Sequence, residues 1–79
     1  MTLYFFHLHE CGLLTSDKEG REMPVAADLH AAAVREARAI MCAEVREGRL
    51  CLSCRIEVAD EDGPVMFVPF RDAVAVSGV

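Results

Sequence analysis

Arg55-Ile56-Glu57-Val58-Ala59-Asp60-Glu61-Asp62-Gly63-Pro64-Val65-Met66-Phe67-Val68 contains two strands and a turn. From Arg55 to Asp60 apolar and polar side chains alternate, which is the period of a strand with one face buried. Asp60 to Gly63 is a turn, and Asp62-Gly63 is among the stronger short-range hairpin signals. Val65 to Val68 makes the return strand. Pro69 has no N–H to give to a ladder, so the strand ends there or lies at an edge. Phe70 to Val76 reads as one helical turn or a short extended tail.

Upstream of this hairpin the period changes. From about Ala26 to Glu47 alanine is dense and no Gly or Pro intervenes, which predicts a helix. Asp28 can cap its start or sit in its first turn, and Gly48 is a natural stop just past its end. The helix would be roughly 30 Å long, enough to cross one small sheet. Ala33, Val34, Ala37, Met41 and Val45 recur at helical spacing and form the predicted packing face. Ahead of the helix, Leu3 to His9 is an aromatic-rich strand, Glu10-Cys11-Gly12 a turn and Leu13 to Thr15 a weaker second strand. Ser16 to Gly20 reads as a polar loop, and Pro24 breaks whatever short strand Arg21 to Met23 makes. The expected fold is α+β: a two-layer β-β-α-β-β domain over residues 1–79, with a mostly antiparallel sheet and one long helix on one face.

Both faces of the first strand and of the return strand are apolar. Tyr4, Phe6 and Leu8 alternate with Leu3 and Phe5, and Val65 and Phe67 alternate with Met66 and Val68. One helix covers one face, so the other is exposed or is covered by something else. A second copy is the cheapest cover, because it brings the same surface. Leu3, Phe5, His7 and Phe67 are the predicted self-association residues.

With 79 residues the chain is one small domain with a thin core. Eight Lys and Arg stand against 13 Asp and Glu, a net charge of −5. That balance argues against bulk binding to nucleic acid or to an anionic membrane. No apolar run approaches the ~18 residues of a membrane span, and no secretory signal is expected. Four cysteines are too few for a disulfide scaffold, so the expected setting is a reducing cytoplasm with free thiols.

Tyr4-Phe5-Phe6-His7-Leu8, then Asp17-x-Glu19-Gly20, then an Ala/Arg-rich helix, then Ile56-Glu57-Val58-x-Asp60-Glu61-Asp62-Gly63 and Val68-Pro69-Phe70 with Ala73-Val74 behind it, form a succession across nearly the whole chain. It resembles a family of very short bacterial proteins of unknown function that open with Tyr-Phe-Phe-His. The resemblance implies a stand-alone cytoplasmic bacterial protein with no assigned activity and no catalytic residues to carry over. Cys11, Cys51 and Cys54 are departures from that family's pattern.

The candidate chemistry is sparse. Cys51-x-x-Cys54 has the spacing of half a zinc site, and His7, His9 and Cys11 share the parity of one strand face. The second half of the ligand set is missing, so both cysteines read as small apolar fillers at a strand entry and no metal or other cofactor is expected. A thioredoxin-type role would place the pair at a helix N-terminus, whereas here it follows the helix. No phosphate loop or nucleophile elbow occurs, so the chain reads as a non-enzyme. Asp60, Glu61 and Asp62 lack the twelve-residue calcium loop and read as a solvated turn.

The helix arginines are segregated. With Arg35 at zero, Arg38 falls near −60° and Arg46 near +20°, and no acid stands three or four residues from any of them. They are solvated, they pair with acids from elsewhere, or they form an anion-binding ridge.

The sequence reads best as a non-enzymatic interaction or regulatory module whose partner is a second copy of itself, with a further protein partner open. The alternative is a nucleic-acid-associated regulator using Arg35, Arg38 and Arg46, antitoxin-like by fold-level analogy alone.

Overall fold

The computed structural model describes residues 1–24 and 27–78. Strands β1 (Thr2–Glu10), β2 (Leu13–Thr15) and β3 (Arg21–Met23) precede helix α1 (Leu29–Arg46); β4 (Arg55–Asp60), β5 (Gly63–Pro69) and the one-turn helix α2 (Phe70–Ala73) follow. The sheet runs β2-β1-β4-β5, antiparallel throughout, and β3 also pairs with β1. The expected α+β class and element order hold. Two short elements are added to the expected five: Arg21–Met23 is a strand that Pro24 ends, and Phe70–Ala73 is a helical turn.

β2 and β3 share one edge of β1. β2 pairs with Leu8 to Glu10 and β3 with Thr2 to Tyr4, so Phe5 to His7 have no strand on that side. Asp17 fills the gap. The Phe6 N–H donates to Asp17 Oδ2 at 3.1 Å, and the Asp17 N–H donates to His7 Nδ1 at 3.0 Å. The Glu19 and Gly20 N–H groups close on Asp17 Oδ1, which makes the loop an Asx turn. A side chain thus does here what a backbone ladder does on either side of it.

α1 has 18 residues, about 27 Å of length. The expected start at Ala26 lies outside the described residues. The Asp28 side chain caps the helix by accepting from the Ala31 N–H at 2.9 Å. Its far end is a Schellman motif: the Gly48 N–H donates to the Val45 carbonyl and the Arg49 N–H to the Glu44 carbonyl, with Gly48 at φ 82°.

The core lies between α1 and one sheet face. Ala32, Ala33, Ala37 and Met41 meet Phe6, Ile56, Val58, Val68, Phe70 and Cys54. Small alanines bring the helix close to the sheet, and the aromatic bulk comes from Phe6 and Phe70. Val34 packs against this cluster, but Val45 does not and is 58% exposed. The correction follows from helix geometry. Each four-residue step turns the side chain by roughly 40°, so Val45 has rotated about 120° from Ala33. Arg21 ties β3 to α1 through Glu36, and its guanidinium carbon lies 4.6 Å from the Phe6 ring centroid.

The β4–β5 turn lies where expected, from Asp60 to Gly63, but its central pair is one residue before the Asp62-Gly63 signal. Asp60 pairs with Gly63, so Glu61-Asp62 is the two-residue turn. Asp60 Oδ1 accepts from the Asp62 N–H at 2.8 Å, fixing that register. After α2, Val74 is extended and no regular element follows it among the described residues, so the helical-turn reading of Phe70 to Val76 applies to Phe70–Ala73.

Candidate functional site

β1, β4 and β5 present their second face away from α1. Cross-strand pairs set rows on it: Phe5 opposite Ala59, His7 opposite Glu57 and His9 opposite Arg55, while β5 places Phe67 opposite Glu57 and Pro69 opposite Arg55. The face is apolar toward Leu3 and Phe5 and charged toward His9 and Arg55. Ala59 is buried although it lies outside the helix-side cluster, with Phe5 and Pro64 as its cross-strand neighbours.

Of the predicted self-association residues, Leu3, Phe5 and His7 are half-buried and Phe67 is 48% exposed. Phe5 and His7 stack in parallel, with centroids 6.0 Å apart. Phe67 is held by residues that the sequence reading did not include. The His9 ring meets it edge-on at 5.9 Å, and the Arg55 guanidinium carbon lies 5.2 Å from its centroid. His9 Nε2 is in turn paired with Glu57 Oε1 at 2.6 Å. The alternation of Arg55 and Glu57 carried that signal, because their parity puts them on the face opposite Ile56 and Val58. Only the register shows that His9 and Phe67 meet.

The arginines do not form one unit. Arg38 donates from Nε to the Ala73 carbonyl at 2.7 Å and so secures the end of α2. Arg35 and Arg46 are exposed, and among the described residues neither forms an ion pair. Arg46 borders an apolar groove between α1 and the tail, with Val45, Leu50 and Val76.

The cysteines group differently from the expected Cys51-x-x-Cys54 pair. Cys51 lies in the bend between α1 and β4, and its Sγ is 3.8 Å from Sγ of Cys11 in the β1–β2 turn. Cys54 is buried in the core; burial first, then its hydrogen bond to Cys51, pushes its thiol up to about 12. The same hydrogen bond lowers Cys51, followed by the Ser53 backbone and Cys11. Cys11 is raised, chiefly by its hydrogen bond to Cys51. Cys42 stands apart as an exposed thiol on α1. Among the described residues no three His, Cys, Asp or Glu side chains converge as a metal site. His7 and His9 face Asp17 and Glu57 instead.

No helix of the described residues is long and apolar enough to cross a membrane. A domain of unknown function, DUF6894, matches residues 3–71. The chain belongs to this family. No curated protein and no solved structure matches it. The DUF6894 match spans β1 to α2, so it takes in the open face, the Asp17 loop and all four cysteines.

Proposed function

We propose that this DUF6894 protein is a small non-enzymatic interaction module that pairs with a second copy through the open face of β1, β4 and β5. The observation that carries the reading is Phe67, half exposed on the outer strand β5 of a face whose other side is filled by α1. The face carries both signs of charge, on Arg55 and Glu57, so a two-fold axis brings opposite charges within reach of each other. A standard interface takes about 800 Å² from each partner. That is roughly one-seventh of the 5381 Å² this chain exposes, an area one face of a two-layer domain can supply. Fully burying an aromatic side chain contributes about 2–3 kcal/mol. Light scattering at micromolar concentration should give a dimer mass, and Phe67→Glu should give a monomer with an unchanged circular dichroism spectrum. A monomer for the native chain would refute the reading.

The nucleic-acid alternative is favoured by one observation: Arg35 and Arg46 have no ion pair among the described residues. The engagement of Arg38 with Ala73 weakens it. Salt-sensitive binding to a short duplex, lost in Arg35→Glu with Arg46→Glu, would establish it.

A further inference from the structure

We propose that Cys11 and Cys51 form a reversible dithiol switch that undergoes thiol–disulfide exchange with low-molecular-weight disulfides of the glutathione class. The two sulfurs are 40 residues apart in sequence and 3.8 Å apart in space, at van der Waals contact. A disulfide bond is about 2.05 Å long, so closure requires a shift of less than ~2 Å. Both residues can make that shift. Cys11 sits in a two-residue turn with Gly12 at φ 73°, and a Cβ built at Gly12 would meet nothing within 4 Å. Cys51 lies in an irregular bend and pairs with no strand. A bridge there would join the tip of the β1–β2 hairpin to the connection between α1 and β4.

The three neighbouring thiols divide the chemistry. Cys51 is the attacking sulfur: its Sγ stands in contact with Cys11, and its thiol is lowered. Its thiolate attacks one sulfur of the small disulfide. The S–S bond of that molecule breaks, the other half leaves as a thiolate and takes a proton, and Cys51 carries the mixed disulfide. Cys11, in contact, loses its proton to solvent and attacks Cys51 Sγ, expelling the second small thiol. One small disulfide is reduced to two thiols, and two protein thiols become one bond. Cys54 is buried in the core, so it does not compete as the second partner.

The test uses the full chain with Cys42→Ser, which removes the exposed helix thiol. The reduced protein is treated with excess oxidised glutathione, digested without reductant and mapped by mass spectrometry. The expected product is an intrachain Cys11–Cys51 peptide pair, reversed by dithiothreitol and accompanied by a Tm raised by several degrees. Adding Cys11→Ser should leave one stable glutathione adduct on Cys51. Adding Cys51→Ser should prevent the intrachain bond. A Cys51–Cys54 bridge, a bond between chains, a lasting adduct on Cys51 when Cys11 is present, or mapping of the three remaining cysteines that shows no oxidation at all would each overturn the proposal.

Discussion

Three backbone N–H groups, those of Phe6, Glu19 and Gly20, converge on the Asp17 carboxylate. Partial burial pushes its pKa up, but those donors and the nearby Arg21 outweigh it and hold the carboxyl below the ordinary aspartate value. A depressed carboxyl contributes stability above its unfolded pKa, and that contribution is lost as the pH falls through the folded value. Asp17→Ala should therefore cost about 1–3 kcal/mol at neutral pH, since three donors lose one acceptor. Its acid-unfolding midpoint in urea should also lose part of the native pH dependence. A variant as stable as the native chain at pH 7 would show that water replaces the carboxylate. Gly20, three residues on, is the second special position. Its φ is 73°, and an added Cβ would lie 2.9 Å from Phe5 Cε1 and 3.0 Å from the Tyr4 carbonyl oxygen. Gly20→Ala should cost roughly 1–2 kcal/mol by denaturant midpoint, through both φ strain and the clash with backbone. An unchanged midpoint would mean that the loop relaxes freely.

At the scale of elements, α1 and the β4–β5 hairpin were readable because their signals are local. Alanine density, the Asp28 cap and the Gly48 stop lie within the helix itself, and the Arg55 to Asp60 alternation lies within one strand. β3 was only half readable. Three residues carry too short a period, and what makes them a strand is the exposed edge of β1, some twenty residues away. Asp17 failed in the same way: an Asx turn onto Glu19 and Gly20 is a local pattern, whereas its bond to Phe6 spans eleven residues. Val45 misled because a helix face drifts with length. The arginines show why charge pattern alone does not assign a role. Arg38→Ala should cost about 1 kcal/mol, because the Ala73 carbonyl at the end of α2 loses its donor. Arg35→Ala should change stability by less than about 0.5 kcal/mol. Paired thermal melts measure the difference, and equal losses would show that the Arg38 bond contributes nothing beyond an exposed arginine.

For the whole molecule, the open face and the α1–tail groove are two separate apolar surfaces, and one variant at each tells them apart. Pairing through the sheet predicts that Tm rises with protein concentration and that Phe67→Glu removes this rise. Val45→Glu, on the groove beside Leu50 and Val76, should leave it intact. If Val45→Glu abolished the concentration dependence and Phe67→Glu did not, the interface would lie on the helix side. The existence of an uncovered face was readable from the alternation of β1 and β5. The Arg55–Phe67–His9–Glu57 contacts on it were not, because they depend on how three strands align.

The shared edge of β1 has a further result. With β2, the Asp17 loop and β3 occupying that side, only three-residue stubs remain there for another chain to add to. On the far side β5 is the outermost strand, with Pro64 near its start and Pro69 at its end. A sheet that can be extended along only one border can be joined there once, and both borders of the joined pair are then stubs. Edge-to-edge growth of the native sheet therefore stops at the joined pair.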